Sequence, residues 1–437
     1  MSNNTEGRGG WGSRIGYVLS ALGMAVGVGA VWRFPMLTAQ WGGGSFVLAF
    51  AVICLLIVIP AGFCECALGR KYKKGVVGCF TEVAGTKGKI FGYFTSIVPL
   101  GLMFYYPILM ATCLMYIVYT FMGAPYMNDV VAFFDQVNGN RPVIYALVIV
   151  ILVLNALVGL GGVKGGVEKA CKIMLPVMFI ILVVITIRVF TLDGIWEGMN
   201  FYLAPDLDAL MNPDMWMAAA GMALFAVGLG PGYLVTYGSY ASDKADVATD
   251  FVTLNVTQLL LCVLCGFVTI PAVVMFGLDP TAGKGLIFQS LPLVFSEMAG
   301  GLIWFLLFMI CMFFAGFSST LGMLEIPVAS LQDGLKWSRK KSIWVVTIIA
   351  CIGAIPCVWS DAFFAFFDNL IGNVFYCLTA AVIAVYLAWV VGAKKIRTEW
   401  YNPTSVIKYG AYMDWLDKIV SCVALVYFAI LGIMSLF

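Results

Sequence analysis

The sequence predicts an all-α membrane protein with eleven transmembrane helices, arranged as a 5+5 inverted repeat with broken first and sixth helices. Three observations carry this. The 437 residues are 62% hydrophobic and only 11% charged, which suits a bilayer and not a soluble fold. Charge-poor stretches long enough to span recur along the whole chain. One short pattern then appears twice inside such stretches, as Val26-Gly27-Val28-Gly29-Ala30 and as Val227-Gly228-Leu229-Gly230-Pro231. Glycine weakens a helix by about 1 kcal/mol and proline by about 3 kcal/mol. Backbone groups freed by a break at membrane depth cannot face lipid, so they face protein, water or a ligand.

In order, the candidate spans are roughly 13–38, 43–69, 91–122, 142–160, 167–190, 213–240, 247–276, 301–334, 341–358, 363–392 and 413–436. The stretch 281–299 is too short and mixed, and reads as an outer loop with a short re-entrant or surface helix. The breaks stand 201 residues apart, and five spans begin at each. An odd number of spans inverts the second copy relative to the first. The chain then divides into a cytoplasmic segment 1–12, a first repeat 13–190, an extracellular loop 191–212, a second repeat 213–392, and a last span with the C-terminus, 393–437. Glycine-rich segments can also serve close helix packing. Their recurrence in the first span of each five-span block favours breaks, the sequence mark of a secondary transporter's binding site.

Lysine and arginine orient the chain. With the N-terminus inside, 21 of them fall on the cytoplasmic side. Only Arg33, Arg141, Arg188 and Lys284 fall outside. The C-terminus is then outside, as expected of a multi-pass protein of the cell's inner (plasma) membrane. The acidic loop with Asp193, Glu197, Asp206, Asp208 and Asp214 is external. The net charge of +2 says little about partners, and no nucleic-acid partner is expected. No cleavable signal peptide is evident, since the first apolar segment holds the glycine break and Arg33. The 13 cysteines are scattered and no histidine is present. Cys64-x-Cys66 and Cys262-x-x-Cys265 lie within apolar helices, so they read as small buried hydrophobes and not as metal ligands.

Several motifs together resemble the neurotransmitter:sodium symporter family. The stretch Gly16 to Phe46 contains Gly23, Ala25-Val26-Gly27, Gly29, Trp32-Arg33-Phe34-Pro35 and Gly42-Gly43-Gly44-Ser45-Phe46, and is similar to that family's first-helix signature. Glu65-x-x-Leu68-Gly69-Arg70, Tyr105-Tyr106, Thr236-Tyr237-x-Ser239-Tyr240, Ala315-Gly316-x-Ser318-Ser319 and Asp368-x-x-x-Gly372 follow in the family's order. The resemblance covers nearly the whole chain. Eleven spans are common among bacterial members with the leucine-transporter-like fold.

The resemblance implies a sodium site. Sodium is a hard cation that takes oxygen ligands. The run Ser318-Ser319-Thr320 lies in an apolar helix, where hydroxyls ordinarily bond the carbonyl a turn back. The first break supplies free carbonyls nearby. The family's second sodium site maps onto Gly23, Val26, Ala315, Ser318 and Ser319, and all five match. The family's other sodium site departs. Its side-chain oxygens fall on Met24, Ala30 and Ala226, and its seventh-helix amide on Thr257, with Asn255 two residues away. That site reads as lost. A chloride site is likewise put in doubt by Met222 and Ala226.

The substrate is expected between the breaks. The half-helix after Gly29 points its N–H groups inward, which suits a carboxylate. Tyr106 matches the family tyrosine that contacts that carboxylate. The rest of the matched lining is Met24, Ala25, Leu102, Phe225, Ala226, Gly228, Ser319 and Met323, almost wholly apolar and suited to a hydrophobic side chain. Amine carriers of the family place an aspartate where Gly27 stands, which disfavours a catecholamine-like cation. The implied outer gate is Arg33 and Asp368, with Tyr106 and Phe225 closing over the substrate. The implied inner gate is Arg8, Trp11, Ser239, Tyr240 and Asp333. Glu65 is a family feature near the missing sodium site, and Glu325 receives no role.

The expected function is sodium-coupled symport of a small hydrophobic amino acid or amino acid-like substrate by alternating access, with one sodium ion per substrate. A proton-coupled or exchange-type carrier of a related small metabolite is the alternative. A channel or membrane enzyme is disfavoured: there is no histidine, no metal-ligand cluster, no nucleophile–base pair and no repeated pore loop.

Overall fold

The computed structural model describes residues 9–127, 129–281 and 285–434. Among these residues the secondary structure is helical, apart from one isolated bridge between Gly43 and Pro205. Among the described residues nine helices are long and apolar enough to cross a membrane. They are α3 (Gly44–Tyr72), α4 (Val76–Phe121), α5 (Arg141–Leu160), α6 (Val163–Phe190), α9 (Val247–Met275), α11 (Gly301–Leu335), α12 (Arg339–Trp359), α13 (Asp361–Tyr401) and α14 (Tyr412–Met434). Helices α1 (Arg14–Ala25) and α2 (Gly29–Gln40) pass the same test as a pair, bent by 55° across the first break.

Both glycine patterns interrupt their helices. Helix α1 starts on Ser13, whose hydroxyl accepts the Gly16 N–H, as an N-cap should. It stops at Val26, which leaves the helical region at φ −82°, ψ 73°. The second pattern separates α7 (Pro213–Val227) from α8 (Tyr233–Ser239). Between them Gly228, Gly230 and Gly232 take φ of +71°, +105° and +85°. L-residues with a Cβ pay about 1–2 kcal/mol in such conformations, so alternating glycines make this turn feasible.

Two boundaries differ from the sequence reading. The third span was expected from residue 91, but α4 begins at Val76 and is interrupted at Gly85 (φ 60°, ψ −140°). Lys87 and Lys89 end the apolar run without ending the helix, because lysine is a good helix former wherever it meets water. Helix α13 similarly runs on to Tyr401 through Gly392. The outer segment 281–299 holds a short apolar helix, α10 (Leu286–Ser296).

The centre is built by α4, α11, α3, α8 and α1, packed against one another. Glycines bring α3 and α8 into backbone contact: a Cβ on Gly238 would stand 2.6 Å from the Cys66 carbonyl. Small residues at such crossings replace the hydrophobic driving force that lipid removes. Leu55, Ile97, Phe179, Ile187 and Ile352 are exposed on the periphery, as lipid-facing side chains are. All 13 cysteines are unpaired and all but Cys351 are buried. Among the described residues none gather with acidic groups into a metal cluster.

Candidate functional site

The first break meets α11 at Ser318 and Ser319. The Ser319 hydroxyl lies 3.2 Å from the Gly23 carbonyl oxygen and 3.0 Å from that of Met24. The Ser318 hydroxyl donates to the Ala315 carbonyl at 3.1 Å. Gly23 packs so close to α11 that a Cβ on it would sit 3.2 Å from the Ser318 Cβ. Gly23, Ala315, Ser318 and Ser319 thus come together, all buried, and Val26 is fully buried at the break itself. The donors are oxygen alone, the set a hard monovalent cation requires, so the residues present fit sodium as cargo.

The oxygens of the other expected cation position are absent from the side chains that border it. Met24 turns its sulfur toward Gly228, where an added Cβ would meet it at 2.9 Å. Ala30 and Ala226 are buried methyl groups. Asn255 is committed elsewhere: its amide donates to the Cys54 carbonyl at 3.0 Å, at the start of a π-helical turn in α3. Thr257 is only half-buried.

Between the breaks lies a cavity of about 20 Å³ lined by Met24, Ala25, Gly27, Leu102, Tyr106, Phe225, Tyr233, Ser319, Met323 and Tyr376. Seven of the expected lining residues are there. Gly29 instead faces an outer vestibule of about 170 Å³, while Ala226 and Gly228 lie buried behind the wall. The Tyr106 hydroxyl is within hydrogen-bonding reach of Ser319 and of the Val28 and Gly29 N–H groups. It therefore stands where the freed amides of the first break converge. Gly27 is held to glycine by the same crowd, since a Cβ would be driven into the Tyr106 and Ser319 hydroxyls. Tyr106 and half-buried Phe225 border both the cavity and the vestibule, and so form the partition between them.

Tyr233 and Tyr376 were not anticipated. Tyr233 follows Pro231 by two residues, and that nearness to the break was the one signal available. Tyr376 sits a turn or two past Asp368 on α13, where apolar patterning distinguishes no face.

Arg33 and Asp368 both line the vestibule, yet among the described residues no ion pair joins them. Arg33 donates to the Asn373 side-chain oxygen at 2.8 Å, and its guanidinium lies 5.7 Å from the centre of the Phe225 ring. Asp368 faces Tyr105 instead: a Cβ on Gly372 would lie 3.1 Å from the Tyr105 hydroxyl and 3.2 Å from the Asp368 carboxylate. The two halves of the expected outer gate are held apart by different partners.

The end of the molecule where α1 begins is closed by aromatic packing. The Trp11 indole N–H donates to the Tyr237 carbonyl at 3.0 Å, the Trp11 backbone N–H donates to the Tyr240 carbonyl at 3.2 Å, and the indole ring meets Tyr240 edge-on at 5.9 Å. The Ser239 hydroxyl caps the Thr236 carbonyl at 2.6 Å. Asp333 accepts the Gly75 N–H at 2.7 Å. Arg8 lies outside the described residues. Two carboxylates omitted from the expected gate belong to this region. Glu168 accepts the Gly12 N–H at 2.6 Å and anchors the start of α1 to α6. Glu325 takes a hydrogen bond from the Tyr240 hydroxyl at 2.6 Å and a two-pronged one from Arg339. At the second break, Glu65 accepts the Gly230 N–H at 2.9 Å with one carboxylate oxygen. Its other oxygen has no partner among the described residues.

Residues 8–128 and 123–436 match the Sodium:neurotransmitter symporter family. The chain belongs to that family. It is 32% identical to a protein described as an uncharacterised sodium-dependent transporter of Haemophilus influenzae, over 98% of both chains. It is 29% identical to another so described from Bacillus subtilis, over 97% of this chain and 98% of that one. The crystal structure of MhsT in complex with L-phenylalanine superimposes with a TM-score of 0.89 at 28% identity, covering 98% of this chain and 100% of that one. The symporter is therefore a multi-pass membrane transporter, not an enzyme, and sodium dependence is the property its relatives are named for.

Proposed function

We propose that the symporter couples inward movement of one sodium ion to uptake of a small amino acid-like substrate by alternating access. One observation carries the reading: the Ser319 hydroxyl touches the Gly23 carbonyl of the sodium position and also lines the central cavity. Cation and substrate share that side chain, so occupancy of one position bears on the other. Gly23, Val26, Ala315, Ser318 and Ser319 would hold sodium. Tyr106 and the amides after the first break would hold the substrate's carboxylate. MhsT's complex with L-phenylalanine supports an amino acid-like cargo. The chain would cross the plasma membrane eleven times, N-terminus inside and C-terminus outside, with α7 and α8 forming one broken crossing and the two five-span halves inverted. Phe225 and Tyr106, then Arg33 with Asp368, would close the outer side; Trp11, Ser239, Tyr240 and Asp333, with Arg8, the inner side.

The test is a thermal-shift and binding screen of the purified transporter against amino acids, in sodium and then in choline. Stabilisation by an amino acid that depends on sodium supports the reading; the same stabilisation in choline overturns sodium coupling. The unpartnered Glu65 oxygen beside the second break favours one second reading, a carrier that moves a proton in place of sodium. That reading predicts uptake in choline driven by an imposed pH gradient.

A further inference from the structure

We infer that the substrate's side chain ends in a hydrogen-bonding group, read by the hydroxyl of Tyr233. This deepens the amino acid reading and rests on it. The sequence-based lining is almost wholly apolar, but the cavity has a polar pole formed by two tyrosines from different helices. Tyr233 begins α8 and Tyr376 comes from α13, and both line the cavity. Tyr233 is 3% exposed, and its hydroxyl has no hydrogen-bond partner among the described residues. A buried hydroxyl left unpaired costs about as much as a lost hydrogen bond, so a side chain kept this way in a binding cavity points to a ligand that completes it. Tyr106 lines the same cavity, which sets the three tyrosines around one space.

The roles then separate. Tyr106 has partners of its own at the first break and serves the carboxylate. Tyr233 has none, stands at the second break, and is free for the other end of the substrate. Its ring packs beside Gly228, where an added Cβ would lie 3.0 Å from Tyr233 Cδ2, so glycine at the second break leaves room for the ring at the cavity wall. The cavity of about 20 Å³ must widen to admit any amino acid. Met24 and Met323 on its wall are unbranched and repack readily, whereas Tyr233 and Tyr376 are rigid. The part of the wall that stays fixed is the part that hydrogen-bonds. A site built around a hydroxyl contact discriminates against the analogue lacking that group more strongly than an apolar pocket discriminates by size.

The test uses two near-isosteric pairs, threonine against valine and tyrosine against phenylalanine, with the full-length transporter in sodium. Equilibrium binding should favour the hydroxylated member of at least one pair by roughly fivefold to tenfold, the range of one net hydrogen bond. Tyr233→Phe should bring that ratio close to one. Tyr376→Phe serves as the matched control, with the larger part of the preference remaining. A preference for valine and phenylalanine in the wild type overturns the inference. So does a ratio that Tyr233→Phe leaves in place, which would make the hydroxyl a feature of the fold alone. Failure of all four amino acids to bind would instead overturn the amino acid reading beneath it, a result separable from lost hydroxyl preference.

Discussion

In the proposed reading Ser319 serves both cation and substrate through one oxygen, and Ser318 stands beside it with its hydroxyl turned to the Ala315 carbonyl. Replacing both with alanine would leave sodium under-coordinated, at roughly 1–3 kcal/mol for each partner lost. The Ser318→Ala, Ser319→Ala variant should therefore lose sodium-dependent uptake and bind sodium more weakly by tenfold or more, the equivalent of about 1.4 kcal/mol. Radiotracer uptake with sodium titration checks this; unchanged sodium affinity would refute the assignment. Asp368 invites a different expectation. It lies beside Tyr105 while Arg33 is bonded to Asn373, and no ion pair joins the acid to the base among the described residues. Asp368→Asn keeps the shape and removes the charge. Substrate binding should stay within about twofold, while transport falls by roughly tenfold or more because the closed state loses about 1.4 kcal/mol. Wild-type transport in that variant would remove Asp368 from the gate.

At the level of elements, the second break depends on glycine more than the first does. Gly230 has φ +105°, and a Cβ there would lie 2.7 Å from the Ala380 backbone on α13. Gly230→Ala should destabilise the fold by at least about 1–2 kcal/mol from backbone strain and misplace the Glu65 contact, lowering the melting temperature in detergent. The connection that starts α9 offers a pH test. Asp246 caps α9 through the Thr249 N–H and ties down the Val406 N–H at 2.7 Å. Burial pushes its carboxyl up, but the hydrogen bonds from Val406 and Thr249 outweigh it and hold the group below the usual range. A depressed folded value contributes stability above the ordinary carboxylate range near about 4, lost as pH falls through the folded value. The melting-temperature gap between wild type and Asp246→Asn should be full near neutrality and shrink below about pH 4. The breaks, the long apolar helices and seven of the residues on the cavity wall were legible in the sequence because glycine pairs and apolar runs are local signals, whereas the expected sixth span is two short helices, α7 and α8. The partners of Arg33 and the placements of Tyr233, Tyr376 and Glu168 were not, since each depends on helices far apart in sequence meeting in space. Asn255 shows the limit well. Its residue type suggested a cation ligand, but a π-helical turn in α3 presents a carbonyl that takes its amide.

For the whole molecule the question is how steeply it can concentrate its cargo. With Met24, Ala30 and Ala226 offering no side-chain oxygen and Asn255 bound to α3, the proposed reading has one cation position. A single charge crossing about 100 mV gains about 2.3 kcal/mol. A tenfold sodium gradient adds about 1.4 kcal/mol, for a total near 3.7 kcal/mol. That limits accumulation of a zwitterion to roughly 500-fold, whereas two ions would square the limit. With no second cation beside the carboxylate, affinity has to rest on Tyr106, the helix N-terminal amides and packing in the cavity. The transporter should show a sodium Hill coefficient close to one in equilibrium binding. In proteoliposomes its reversal potential should follow one sodium per substrate. A Hill coefficient clearly near two, or a reversal potential that requires two ions, would mean that a second site has been rebuilt. The unpartnered side-chain oxygens of Asn255 and Gln258 on α9 would be the first to substitute.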